Sequence, residues 1–384
     1  NINISYSYSE NNYTDFEMEY SDKKMVFANA QYSYTFNTLN IYPFERFLEN
    51  KNSKYLKWLK EFNFNPLPNS LTFSGNFNRS LFKQKFREIN YSGITSENQI
   101  PIPEFTQSKF MFDWLLSISH NLSKSLILNY NASNSSLIPS FTKDVNTTDR
   151  NRLELFEKFF NVGEPNFYNQ NFTANYNLPI SNFPFLDFIN ANYSYNGNFN
   201  WQRGSDILNN VSDQFGNKLG RVNTIQNSNN QTLNIALNLD RLYRKINFSK
   251  NNFLFDFLTS LKRVRSTYSE NSGKVLPGYI PSIGFLGTLK PSFGFVFGSQ
   301  KDVRYEIAKN GWLTTFTGFN QQFQKVYNSK FDLSAEIELF NNLKIDLNAN
   351  RTYSNNFSEN YSIIENNYNA INGSFYGNFS ISSN

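Results

Sequence analysis

Residues 331–353 read FDLSAEIELFNNLKIDLNANRTY. Phe331, Leu333, Ala335, Ile337 and Leu339 fall on one parity; Asp332, Ser334, Glu336 and Glu338 fall on the other. Past Phe340, Asn341 and Asn342 the alternation resumes, with Leu343, Ile345, Leu347 and Ala349 against Lys344, Asp346, Asn348 and Asn350. Successive side chains of a strand point to opposite sides, so a period of two sorts apolar from polar residues onto two faces. For both arms to share an apolar face, Leu339 must oppose Leu343, Ile337 must oppose Ile345, and Ala335 must oppose Leu347. The loop left over, Phe340 to Asn342, ends in a residue type that tolerates the left-handed region. The stretch predicts a β-hairpin with one apolar and one polar side, and the neighbour of the apolar side decides the fold class.

Composition narrows that neighbour. The chain has 384 residues, of which 18% are aromatic and only 17% charged, against about 25% charged in ordinary soluble domains. Asn, Ser and Thr take the polar positions instead. Mean hydropathy is −0.55, and no apolar run approaches the roughly 18 residues of a spanning helix. Alternating segments of about ten residues with soluble-looking average hydropathy are what transmembrane β-strands give. There is no cysteine, which excludes disulfides and thiolate metal sites. A net charge of +5, spread along the chain, makes no nucleic-acid footprint. The chain opens on Asn1-Ile2-Asn3-Ile4 without an initiator Met or signal peptide and closes in an alternating run, so both ends read as cuts through a larger structure.

The same alternation predicts strands at 1–9, 13–20, 25–38, 70–79, 108–119, 125–133, 170–178, 187–201, 231–242, 253–267, 292–299, 312–323, 329–339, 343–354 and 371–382. That is about fifteen, most near the length of a tilted membrane strand. The expected fold is all-β: residues 1–384 as a segment of one large transmembrane antiparallel β-barrel, with long extracellular loops and short helices near 44–62 and 149–161. Short connections (120–124, 179–186, 340–342) and long ones (80–107, 134–169, 202–230, 268–291, 355–370) largely alternate, as periplasmic turns and outer loops do; residues 39–69 break the rule. Trp201 and Trp312 stand at strand ends, where an interfacial girdle belongs. On this reading Leu333, Ile337, Leu339, Ile345 and Leu347 face lipid.

Little in the sequence suggests catalysis, and the expectation is that the chain is no enzyme and binds no cofactor. His120 is the only histidine; it sits in a polar turn without an orienting partner, and no Ser or Thr has a second His to activate it. Asp144, Asn146, Thr148 and Asp149 lack the Gly and the spaced Glu of a calcium loop. Lys54, Lys57 and Lys60 around Trp58, and Arg241, Arg244 and Lys245 around Tyr243, read as cations snorkelling at element ends, ahead of a docking site for lipid head groups.

Several motifs resemble one family, the SprA/Sov translocon of the type IX secretion system. They are FNFNPLPNSL from Phe62, LPISNFPFLDF from Leu178, LGRVNTIQN from Leu219, VLPGYIP from Val275, FGFVFGSQ from Phe293 and IDLNANRTYS from Ile345. The resemblance covers roughly residues 39–384; Ser292 stands after Pro291 where the family pattern has Gly. The resemblance implies an outer-membrane barrel of unusual size that exports folded proteins with C-terminal secretion signals, gliding-motility adhesins included. It also implies a PorV-type partner barrel, a plug protein, secreted cargo and outer-membrane lipids as partners, and no nucleic acid. The polar face would then line the pore through Asn192, Asn196, Asn234, Asn348 and Asn350. Two other readings stay open at this point: an independent porin or TonB-linked receptor barrel, and a surface-attached β-rich adhesin with a sandwich core.

Overall fold

The computed structural model describes residues 1–48, 56–87, 102–138, 156, 160–183, 185–212, 216, 218–245, 259–340 and 343–384. Among the described residues, twelve antiparallel strands form one sheet in sequence order, and the sheet is not closed. They are β1 (Ile2–Tyr13), β2 (Met18–Thr35), β3 (Ser70–Phe86), β4 (Phe105–Asn121), β5 (Leu126–Ile138) and β6 (Glu164–Leu178), then β7 (Ile189–Gln202), β8 (Asn223–Asn238), β9 (Leu261–Tyr279), β10 (Phe323–Phe340), β11 (Leu343–Ile364) and β12 (Asn367–Ser383).

By contact the chain divides into two units. One holds Asn1–Tyr34, Thr72–Leu116 and Ser133–Tyr168; the other holds Thr35–Leu71, Ser117–Ala132 and Asn169–Asn384. In the first, the β1–β2 hairpin sets Ile4 opposite Ala30, Tyr6 opposite Ala28 and Tyr8 opposite Val26. Val26, Leu81, Phe110 and Ile138 pack as a buried cluster. The Arg79 guanidinium lies 5.1 Å from the centre of the Phe110 ring. The second unit contains β7–β12 whole, and its register is continuous from β7 to β12.

The hairpin that opened the sequence reading is β10–β11. Ile337 opposes Ile345 and Ala335 opposes Leu347, as the pattern requires. Leu339 does not oppose Leu343: a bulge between Glu338 and Phe340 leaves it as the extra residue, and Phe340 takes Leu343. A bulge adds one residue to one strand and shifts its partner, which alternation alone does not reveal.

Five other expectations are corrected. Against about fifteen strands expected, the described residues hold twelve. Residues 10–12, read as a turn, continue β1, with Glu10 opposite Lys24 and Asn12 opposite Asp22; polar residues on both parities hid the strand. Residues 292–299 hold a short helix, Phe293–Val296, and 312–323 stay irregular until β10 starts. The alternating Phe293, Phe295 and Phe297 reflect packing, and Ser292 caps that helix through its side chain. Residues 239–242 begin a helix, Leu239–Lys245, with Asp240 in its first turn and Arg244 and Lys245 in its last, charges placed as the helix dipole favours. Finally, 268–291 and 355–370 are not long connections: β9 runs to Tyr279. The strands β11 and β12 meet at Glu365 and Asn366, whose φ angles of 51° and 60° suit a tight hairpin turn.

Connection lengths accordingly alternate less than expected, since 365–366 is tight and 239–260 is long. Of the two helices expected, 44–62 contains a 3-10 turn at Arg46–Leu48 and a single helical turn at Lys57–Lys60. The expected helix near 149–161 and the Asp144–Asp149 run lie outside the described residues, apart from Phe156 and Phe160.

Candidate functional site

The register of β7–β12 sorts the second unit into two faces. On one, Ala191 opposes Ile235, Ile235 opposes Ser266, Leu333 opposes Ser266 and Ala349, and Leu347 opposes Ala335; this is the leucine face. On the other, Asn192 opposes Asn234, Asn196 opposes Asn230, Asn348 opposes Ser334 and Asn350 opposes Asp332; this is the asparagine face. Leu333, Ile337, Ile345 and Leu347 share the first, with Leu339 in the bulge beside them. Asn192, Asn196, Asn234, Asn348 and Asn350 share the second.

The asparagine face is wired to itself. Asn234 donates to Asn192 at 2.8 Å, and Thr267 donates to Asn234 at 2.8 Å. Asn171 donates to Asn196 at 2.7 Å and Asn198 at 2.6 Å, and Ser194 to Asn175 at 2.8 Å. Ser119 donates to Asn129 at 2.8 Å, and Asn129 to Thr173 at 3.4 Å. An amide carries both donors and an acceptor, so neighbouring Asn and Ser side chains satisfy each other across strands. Charges enter this face mainly in the half of the strands toward Phe340 and Leu343, as the pairs Arg263–Glu336 (3.6 Å) and Lys330–Asp332 (3.0 Å). A cleft of 610 Å³ opens there, its lining including Asn177, Asn190, Asn192, Asn234, Thr267 and Arg265. Such a surface is polar and close to neutral, with many of its hydrogen bonds already made within it.

The leucine face changes along its length. Its half toward Phe340 and Leu343 carries Leu237, Val264, Ala335, Leu333 and Leu347, the last two 36% and 45% exposed. Its far half is mixed: Asn227 opposes Lys274 and Asn229 opposes Ser272, beside the buried Phe199, Trp201, Ile225 and Leu276. There the chain between β9 and β10, residues 280–322, lies against the sheet. Phe295, Val296, Ile307 and Leu313 of this insert are at most 1% exposed, each such burial contributing roughly 1.5–3 kcal/mol before ordering costs. Sheet side chains meet its main chain. Asn227 donates to the carbonyls of Phe295 (3.2 Å) and Ser299 (2.8 Å), Asn229 to Gly298 (2.8 Å), Gln170 to Val296 (3.3 Å), and Trp201 to Pro281 (3.1 Å). Trp201, expected in an interfacial girdle, is therefore buried beneath the insert, 1% exposed.

A second attachment uses charge. Arg304 of the insert bonds Asp302 through two guanidinium nitrogens, at 3.0 and 2.7 Å, and pairs with Glu359 of β11. Its guanidinium also lies 4.3 Å from the Phe323 ring centre and 5.2 Å from that of Tyr368. Burial disfavours the charge on Asp302, but hydrogen bonds from the Arg304 side chain and backbone hold its carboxyl below the usual carboxylate range. Burial likewise opposes the charge on Arg304, and Asp302 and Tyr368 hold it above the ordinary guanidinium range.

The remaining sequence candidates have local roles. His120 is no free turn residue: it ends β4 and its Nε2 lies 2.8 Å from the carbonyl oxygen of Asn65. That contact, with Lys124 N–H donating to the Asn63 side chain at 2.9 Å, anchors the FNFNPLPNSL stretch beside the β4–β5 turn. Around Tyr243, Lys245 pairs with Asp187 at 2.6 Å, Arg244 donates to the Asp240 carbonyl at 3.2 Å, and Arg241 to that of Asp187 at 3.4 Å. The Lys245 bond keeps the exposed Asp187 carboxyl below its usual range. Lys54 lies outside the described residues. Among the described residues no group of three His, Cys, Asp or Glu side chains is placed to hold a metal, and no helix is long and apolar enough to cross a membrane.

Neither the family models nor the curated proteins contain a match to this chain. The sequence reading missed the insert, although one signal marked it. On β8 the parity carrying Leu237, Ile235 and Leu233 continues as Gln231, Asn229 and Asn227, so the neighbour of that face changes partway along the strand.

Proposed function

We propose that the chain forms part of the wall of an outer-membrane protein-conducting β-barrel of the SprA/Sov type, exporting folded proteins that carry C-terminal secretion signals. The observation that carries this reading is the pairing of two surfaces on one sheet. An apolar band, Phe331–Phe340 with Leu343–Tyr353, has the roughly 9–11-residue reach of a tilted membrane strand. Behind it lies a neutral, self-bonded asparagine face. In a barrel the first is the outside and the second the lumen. A lumen whose polar groups already bond one another offers a passing folded protein few unmet donors and little charge, which suits a conduit. No residue has a catalytic role in this reading. The motif resemblance supplies the export assignment and its partners: a PorV-type barrel, a plug protein, secreted cargo (gliding adhesins among them) and outer-membrane lipid.

The second reading is an independent porin or TonB-linked receptor barrel. Twelve strands among the described residues, each paired to its sequence neighbour, are compatible with it, although the sheet is not closed. Planar-bilayer conductance of the purified full-length protein separates the two. The translocon reading predicts a very large conductance that appears only when partner and plug proteins are stripped away. A small, constitutive, porin-sized conductance would replace it with the second reading. A protein that stays monodisperse without detergent and inserts into no bilayer would remove both, in favour of an adhesin.

A further inference from the structure

The strands of the second unit are longer than a bilayer needs. The strands β9, β10 and β11 have 19, 18 and 22 residues, against about 9–11 for a tilted spanning strand. We propose that the bilayer meets only the half of the leucine face toward Phe340 and Leu343, and that the far half stands in water with residues 280–322 as its cover. This inference rests on the barrel reading above and names which part of that surface takes lipid.

The composition of the face sets the boundary. Its apolar run breaks after Tyr195 on β7, Leu233 on β8, Tyr268 on β9, Phe331 on β10 and Tyr353 on β11, and the apolar residues that resume past the break, Phe199, Trp201, Ile225 and Leu276, are buried. Aromatic residues at such a limit match the girdle of a membrane barrel. Beyond it come Asn229, Asn227, Ser272 and Lys274. An amide moved into hydrocarbon without a partner is strongly disfavoured, so lipid is a poor neighbour for this half. The insert supplies what lipid lacks. Asn227 and Asn229 reach its carbonyls, and Lys274 donates to those of Gln300 and Lys301. The insert is also unsuited to hydrocarbon, since irregular backbone facing lipid leaves polar groups unmet.

The magnitudes agree. From Phe331 back to Phe323, β10 runs roughly 26 Å at about 3.3 Å per residue. At a 45° tilt that is about 18 Å of height, well beyond a polar interfacial layer of about 5–8 Å per leaflet. The β1–β2 hairpin, taken by itself, makes the same switch. Ile4, Tyr6 and Tyr8 pair with Ala30, Ala28 and Val26, and the next pair on that face, Glu10 with Lys24, is an ion pair of 3.3 Å.

These 384 residues contain no cysteine, so with any cysteine elsewhere in the full-length protein replaced, each variant carries one label. Single variants Leu333→Cys, Leu347→Cys, Lys325→Cys and Leu286→Cys of the full-length protein carry a fluorophore in vesicles containing doxyl-labelled lipid. Strong quenching is expected at positions 333 and 347, and none at 325 and 286. Before labelling, the latter two are also expected to react faster than the former two with a water-soluble maleimide in detergent-free vesicles. Quenching at all four positions overturns the inference and leaves the barrel reading standing. No quenching at 333 and 347 removes the barrel reading and the inference with it.

Discussion

The backbones of Gly197 on β7 and Gly298 in the insert touch: a Cβ built on Gly298 would lie 2.9 Å from the Cα of Gly197. Gly298 also has φ near 91°, a region costly for residues with a Cβ. Both positions admit only glycine while the insert stays seated. Gly298→Ala is expected to loosen the insert by about 1–3 kcal/mol, read as faster proteolysis between residues 280 and 322 while the strands stay protected. Unchanged cleavage would show that the close approach does not hold the insert.

Asn227 and Asn192 are the same residue type on opposite faces, and they should behave differently. Asn227→Leu takes the donor from the Ser299 carbonyl and leaves the Phe295 carbonyl with the Gly298 N–H alone, at a cost of about 1–3 kcal/mol. Asn192→Ala removes one exposed bond from Asn234 and should cost under about 0.5 kcal/mol. Hydrogen exchange at residues 295–300 and denaturant midpoints measure both.

Arg304 holds a carboxylate that is almost out of solvent, the Glu359 side chain being 6% exposed. Arg304→Met leaves that charge unpaired, which typically costs about 3–5 kcal/mol. Adding Glu359→Gln should recover most of the loss, because it removes the stranded charge. Equal instability of the single and double variants would mean that Arg304 acts through its ring contacts alone.

The same cluster gives a pH dependence with a definite sign. The Asp302 carboxyl is held below its usual range, so its contribution is present above the unfolded carboxylate pKa of about 3.9 and is lost as pH falls through its lower folded value. Insert protection is therefore expected to hold from neutral pH to about pH 4 and to weaken below it. In Asp302→Asn that component of the acid limb should vanish.

Much of the sheet was legible because one face meets a single kind of neighbour along the near half of each strand. Ile337, Ile345, Ala335 and Leu347 alternate cleanly for that reason, and their register follows. Legibility fails where the neighbour changes. On β9, Ser272, Lys274 and Leu276 share a face with the insert, so the strand beyond Tyr268 carries no apolar period and reads as loop. The same holds for residues 355–364 of β11, where Glu359 and Tyr361 are buried. The asparagine residues were legible as one polar face, but their mutual bonding was not, because it depends on cross-strand register fixed by turns and bulges.

The central claim is that the leucine face meets lipid and the asparagine face meets water, and the adjacent pair Leu347 and Asn348 tests it most directly. The full-length protein carrying Leu347→Arg or Asn348→Arg is compared for assembly into the outer membrane by heat-modifiable mobility and protease resistance. An arginine facing mid-bilayer lipid costs about 2–4 kcal/mol, so Leu347→Arg should assemble poorly and Asn348→Arg normally. Normal assembly of both, or failure of Asn348→Arg alone, would contradict the orientation and the barrel built on it.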